Sequence, residues 1–369
     1  MNGLASGAAL LLLLSHDGAI AADRPRARDL GVAPGILQPG SLNAITDVPG
    51  VKVGHVTLNS GDNVRTGVTA ILPHGGNLFQ EKVAGAVFVG NAFGKLAGST
   101  QVQELGTIET PIVLTNTLAV GTGIEGVVQW TLAQKGNEQV RSVNALVGET
   151  NDGYLNDIRG GHVTRAHVME AIHNAAAGAV QEGAVGAGTG TIAFGWKGGI
   201  GTSSRRVPLE KETWTVGVLV QSNYGGRLTI AGVPVWRHLD PQKKASADGS
   251  CMIVVATDAP LDARNLERMA ARAIYAMART GSTYSNGSGD FAIAFSTHAS
   301  LRVTGSTQPQ SRMILPTDAT SDLFEAVLDA TEEALYNSML QASDMTGNGR
   351  TVRALPVEAL KPLLPRHPP

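Results

Sequence analysis

The 369-residue chain predicts an α+β layered sandwich, on two observations. Strand-like and helix-like segments come in blocks rather than in strict alternation, which disfavours a doubly wound parallel sheet. Forty-five glycines against 4% aromatic residues point to tight turns and closely packed backbones, and 43% hydrophobic content is enough to bury a large core. No internal repeat or Gly-X-Y period is present.

The N-terminus comes first. Residues Leu4 to Leu14 form an apolar run ending in five leucines, too short to span a bilayer. Ala19-Ile20-Ala21 supplies a small-x-small cleavage pattern, followed by charged residues from Asp23. This predicts a signal peptide over residues 1–22 and a periplasmic or secreted protein. No Lys or Arg precedes the apolar run, which a mis-assigned start codon or a merely disordered leader would explain; a cytoplasmic protein stands as the alternative. The single cysteine, Cys251, excludes an intrachain disulfide.

Strands follow a Pro/Gly-rich entry. Val51 to Val56 alternates, Gly67 to Leu72 is a second strand ended by Pro73, and Ala86–Val89 and Pro111–Thr115 are short buried ones. Thr164 caps a helix expected to run through Val180. A glycine-rich segment occupies Gly186 to Gly201, and strands cover Trp214–Gln221 and Cys251–Ala256. Asp262 then caps a helix with Leu266, Met269, Ala270, Ala273 and Met277 on its apolar stripe and Gly281 at its end. Phe291–Phe295 is a further strand, and Ser321 or Asp322 opens a last helix with Leu323, Val327, Ala334 and Leu335 inward.

Several chemistries are disfavoured. A net charge of −2 with interspersed signs argues against nucleic-acid binding, and nothing in the chain calls for a membrane. The nine histidines include no His-Glu-x-x-His, and His162, His167 and His173 are spaced off a shared helix face, so no metal is expected. Gly186-x-Gly188-x-Gly190 follows a helix and precedes an apolar run, the reverse of a dinucleotide-binding turn. Close packing between layers, or a loop lining a pocket, suits it better. No Gly-x-Ser-x-Gly elbow supports a Ser-His-Asp triad.

The junction Asp248-Gly249-Ser250-Cys251 is the most suggestive feature, because a flexible glycine and a hydroxyl stand at the mouth of an apolar strand after the polar loop Lys243 to Ala247. It reads either as a plain loop entering a strand or as a site where the chain cuts itself between Gly249 and Ser250. A freed α-amine has a pKa of roughly 7.7–8.0 and can take the serine proton without any histidine. Strand alternation puts Ser250 and Cys251 on opposite faces, with Cys251 siding with Ile253 and Val255 as a core residue. Ser288-Gly289-Asp290 introduces the strand Phe291–Phe295 and can reach the same sheet end, or is an ordinary turn. Asn223 ends a strand and can donate an amide N–H to an oxyanion, or again serves a turn. Glu149 is expected in a loop after an apolar run, where an exposed acid needs no explanation.

Together these residues resemble the self-processing L-aminopeptidase/D-amidase-esterase family, which includes the bacterial β-peptidyl aminopeptidases. The resemblance rests on Ile45 to His55, Gly148-Glu149-Thr150-Asn151-Asp152-Gly153, Gly188-Thr189-Gly190, Gly198 to Ser204, Asn223, Gly249-Ser250 and Ser288-Gly289-Asp290, in that order. It implies a four-layer αββα sandwich layered like the N-terminal nucleophile hydrolases but connected differently. It also implies a precursor cut before Ser250 into an α chain (residues 23–249) and a β chain (residues 250–369), commonly as a tetramer of such pairs. Ser250 would be the nucleophile, Asn223 an oxyanion donor, and Ser288 and Asp290 the groups orienting Ser250. Some members carry glutamate where this chain has Asp290. Glu149 would hold the free amine of a small peptide or an amino-acid amide or ester, Tyr154 would line the pocket, and no cofactor would be needed. An uncleaved exported binding protein on the same fold is the alternative from another class; an acyltransferase relative is a third, which the serine at position 250 disfavours.

Overall fold

The computed structural model describes residues 24–241 and 249–365; the expected signal peptide and the polar loop before Gly249 lie outside the described residues. In chain order the strands are β1 (Lys52–Ser60), β2 (Val64–Leu72), β3 (Val83–Ala92), β4 (Leu96–Ala97), β5 (Thr107–Ile108), β6 (Ile112–Asn116), β7 (Leu146–Thr150), β8 (Ile192–Ala193), β9 (Trp196–Lys197), β10 (Gly199–Leu209), β11 (Glu212–Asn223), β12 (Ser250–Thr257), β13 (Gly289–Ser296), β14 (Met345–Gly347) and β15 (Arg350–Val352). The α-helices are α1 (Ser99–Leu105), α2 (Val120–Leu132), α3 (Arg165–His173), α4 (Ala263–Arg279), α5 (Ser321–Leu340) and α6 (Val357–Leu360).

Two mixed sheets face each other, one ordered β1-β2-β6-β7-β4 and the other β10-β11-β12-β13-β3-β5. Alternation along the central strand β12 shows how the layers arise. Cys251, Ile253 and Val255 point to α4 and α5, whereas Met252, Val254 and Ala256 point to the other sheet. On the far side of that other sheet, α2 and α3 bury Val127, Trp130, Val168 and Ile172 against Val68, Val113 and Val147. Three separate cores therefore stack four layers, the αββα sandwich that the resemblance implied. β12 is buried along its whole length, which is why it reads as an unbroken apolar run.

The helix α4 forms as expected. Asp262 Oδ1 accepts the Asn265 N–H at 3.0 Å, all five stripe residues are buried, and Gly281 leaves the helix at φ +98°. One expectation is corrected. The helix capped by Thr164 ends at His173 rather than Val180, because Ala176 leaves it to exchange backbone hydrogen bonds with Val53 of β1 at 3.1 Å. At the end of the glycine-rich segment, Gly199 opens the eleven-residue strand β10. The glycines before it are packing residues, since a Cβ on Gly188 would lie 2.5 Å from the Ile200 nitrogen.

Candidate active site

Register alone gathers Asn223, Ser250 and the Gly289–Asp290 segment at one end of the six-stranded sheet. Asn223, the last residue of β11, pairs with Ser250, the first of β12, and Ser250 pairs with Gly289, the first of β13. Ser250 is buried, and its hydroxyl donates to the Gly249 carbonyl oxygen at 2.6 Å. The Gly289 N–H donates to that same oxygen at 3.0 Å. Cys251 points the other way into the helix-side core, where burial and the Asp290 charge push its thiol well above its ordinary pKa. A protonated, enclosed thiol is a poor nucleophile, and of the two adjacent side chains only the Ser250 hydroxyl belongs to a residue that lines the cavity.

Glu149 is not in an exposed loop. It belongs to β7 and is 2% exposed, covered by the backbone at Gly94, where an added Cβ would lie 3.2 Å from its Oε1, and by Lys95 and Thr117. Its Oε1 accepts the Lys95 N–H at 2.9 Å, the Thr117 hydroxyl donates to its Oε2, and the Lys95 ammonium stands 4.0 Å from Oε1. Glu149, Tyr154, Asn223, Gly249 and Ser250 all line one cavity of about 330 Å³. Phe93, Lys95, Thr117 and Ile192 line it too, and none was singled out from the sequence. Phe93 and Lys95 follow β3 at the strand end that abuts Gly289, a position that only the sheet pairing reveals.

The Asn223 side chain bridges two walls of this cavity. Its Oδ1 accepts the Ile192 N–H at 2.9 Å and its Nδ2 donates to the Asn151 carbonyl at 3.1 Å. Ser288 and Asp290 are close by but do not line the cavity. The Ser288 hydroxyl donates to Asp290 Oδ1 at 2.9 Å, and both side chains are buried. Asp290 pairs with Cys251 and shares its helix-facing side, so it sits against the Ser250–Cys251 backbone rather than beside the Ser250 hydroxyl. Burial raises its carboxyl to about 6, opposed by the Ser288 hydroxyl and the Cys251 N–H; Oδ2 has no hydrogen-bond partner among the described residues. Among the described residues no group of three or more His, Cys, Asp or Glu is placed to hold a metal ion.

A strand-opening serine in an αββα sandwich, facing a small cavity with a buried acid across it, defines the class of hydrolases layered like the N-terminal nucleophile enzymes. Comparison with known proteins gives the family: the chain belongs to peptidase family S58, matched over residues 43–352. It is 42% identical over 378 residues to the β-peptidyl aminopeptidase BapA of Sphingosinicella microcystinivorans, covering 95% of this chain and 94% of that protein. The crystal structure of the PH0078 protein from Pyrococcus horikoshii OT3 superposes with a TM-score of 0.88 at 50% identity, covering 92% of this chain and 98% of that one. The L-aminopeptidase D-Ala-esterase/amidase of Ochrobactrum anthropi, described as a prototype serine aminopeptidase and a variant of the Ntn hydrolase fold, gives 0.87 at 38% identity, covering 92% and 98%. The chain is thus an enzyme whose relatives are aminopeptidases.

Proposed function

We propose that the chain is a self-processing serine aminopeptidase acting on substrates with a free N-terminal amine. The observation that carries this reading is the contact at the junction: the Ser250 hydroxyl rests on the Gly249 carbonyl, whose oxygen is polarised by the Gly289 N–H. In the precursor, Oγ attacks the Gly249 carbonyl carbon, the Gly249–Ser250 C–N bond breaks, and the nitrogen takes up the hydroxyl proton. Water then hydrolyses the resulting ester, giving the Gly249 carboxylate and restoring the Ser250 hydroxyl. Before cleavage the Ser250 nitrogen is an amide and cannot act as a base; afterwards it is an amine titrating at roughly 7.7–8.0.

In the mature enzyme the same Oγ attacks the first carbonyl of the substrate. The α-amine accepts its proton and passes it to the leaving group, and water releases the acyl-enzyme. Asn223 Nδ2, at the cavity wall, is the side-chain donor to the oxyanion. Asp290 and Ser288 hold the backbone around the nucleophile. Glu149, across the cavity, takes the substrate ammonium in a charge-assisted contact, and Tyr154 closes a wall. Small peptides, amino-acid amides or esters, and β-peptides are the substrate class, the last in keeping with the name of the Sphingosinicella relative. We extend the reading to a periplasmic or secreted enzyme built as a homo-oligomer of paired α and β chains. The test is Ser250→Ala: it yields one intact band on a denaturing gel and no hydrolysis of aminoacyl p-nitroanilides, whereas continued severing transfers the role to another residue.

A further inference from the structure

Lys197, in β9, is a fully buried lysine that the reaction above does not use. Its Nζ donates to the carbonyls of Gly188 at 2.9 Å, Thr191 at 2.9 Å and Gly198 at 2.8 Å. Three acceptors match the three donors of an ammonium; a neutral amine would set its lone pair against one of the carbonyl oxygens. Burial pulls Lys197 down to about 7, and the charge of buried Asp152 opposes this. A buried ammonium is costly, so its place in the fold calls for a reason.

The three carbonyls belong to one turn, the strip from Gly188 to Gly198 that carries β8 and β9. The residue after Thr191 is Ile192, which lines the cavity and whose N–H donates to Asn223 Oδ1 at 2.9 Å. An asparagine amide has one acceptor and two donors in a plane, so fixing Oδ1 on Ile192 fixes which end of the amide faces the reacting carbonyl. Without that bond only the Nδ2 donation to the Asn151 carbonyl, at 3.1 Å, still resists a turn that would present an oxygen where a donor is required. The Thr191 hydroxyl, donating to Gly188 O at 3.0 Å, and the Gly198 N–H, donating to Thr191 O at 3.1 Å, brace the same turn.

We propose that Lys197 is a positioning residue for the hydrolytic step, clamping the Gly188–Gly198 turn so that Ile192 holds the Asn223 amide with its NH2 toward the oxyanion. This rests on the reading of Asn223 as the oxyanion donor. Glu149 is anchored by Lys95 and Thr117, outside the turn, so loss of the clamp lowers kcat and leaves KM for the amine nearly unchanged. Self-cleavage is spared, because the Gly249 carbonyl takes its hydrogen bond from Gly289.

A double-mutant cycle on the processed enzyme decides the matter, with kcat and KM for an aminoacyl p-nitroanilide normalised to the severed chain on denaturing gels. Asn223→Ala lowers kcat about 100-fold, as for a lost oxyanion donor. Lys197→Met lowers it about tenfold with KM within about twofold, and the double variant falls no further than Asn223→Ala alone. Lys197→Gln, which keeps two N–H donors, recovers part of the loss. Thr191→Val, which removes only the hydroxyl brace, lowers kcat about threefold at constant KM, and it carries the test if the Lys197 variants do not fold. Additive losses, about 1,000-fold in the double variant, or an unchanged kcat in Thr191→Val where no Lys197 variant folds, overturn the proposal while leaving Asn223 in its role. A normal kcat in Asn223→Ala overturns both.

Discussion

Replacing Asp290 by asparagine should stabilise the folded chain at neutral pH, and the pH dependence of that gain identifies its cause. Burial moves the Asp290 carboxyl from 3.8 to about 6, a shift of about 2 units. At roughly 1.4 kcal/mol per unit, the charged form costs the fold about 3 kcal/mol. The native state holds this proton more tightly than the unfolded chain. The cost is therefore absent below pH 3.8, accumulates as pH rises to about 6, and is complete above it. Asparagine removes the charge and can still accept the Ser288 hydroxyl, but its NH2 replaces an Oδ2 that has no partner, at a cost of about 1–2 kcal/mol. The net gain is about 1–2 kcal/mol at pH 7.5 and vanishes near pH 4.5. Thermal melts at both pH values, in a Ser250→Ala background so that parent and variant remain single chains, should show a Tm raised by about 2–4 °C at pH 7.5 only. A variant-minus-parent difference that is the same at both pH values refutes the reasoning.

Other perturbations separate binding from severing. Glu149→Gln removes the charge proposed to meet the substrate ammonium, a contact worth about 1.5–3 kcal/mol, so kcat/KM for free-amine substrates should drop about 10- to 150-fold while the severing rate stays within about twofold. Equal damage to both, measured by p-nitroaniline release and by gel time courses, would remove Glu149 from its assigned place. Gly249→Ala should slow severing about tenfold or more, because the added Cβ would lie 2.1 Å from the Asn223 carbonyl oxygen and 2.6 Å from Tyr224 Cα, both backbone atoms. Severing at the wild-type rate in that variant would mean that the junction tolerates displacement.

What could be read from the chain depended on whether an element's partners were local. The opposite facing of Ser250 and Cys251 follows from the two-residue period of a strand, and α4 carries its own cap and stripe. The β7 strand was hidden because Gly148 to Gly153 looks like a polar loop; Glu149 is tolerated in a buried strand only because Lys95 and Thr117, distant in sequence, supply its hydrogen bonds. The overlong helix after Thr164 had an alanine run in its favour, and lost to pairing with β1. Strand β10 contains Ser203, Ser204 and Arg205, all buried, and Arg205 is neutralised by Glu333 at 2.7 Å from a helix more than a hundred residues away. Asn223 and Ser288-Gly289-Asp290 look like turns in the chain alone; strand register pairs Asn223 and Gly289 with Ser250, and Asp290 with Cys251. Lys197 gave no signal at all, since its acceptors are backbone carbonyls.

The most direct test is the intact mass of the purified, active enzyme under denaturing conditions, with N-terminal sequencing of each species. The account requires two polypeptides in equal amounts, the smaller with 120 residues and beginning Ser-Cys-Met. A single species spanning the Gly249–Ser250 bond, with full activity, would contradict it, because the amine that serves as base would not exist.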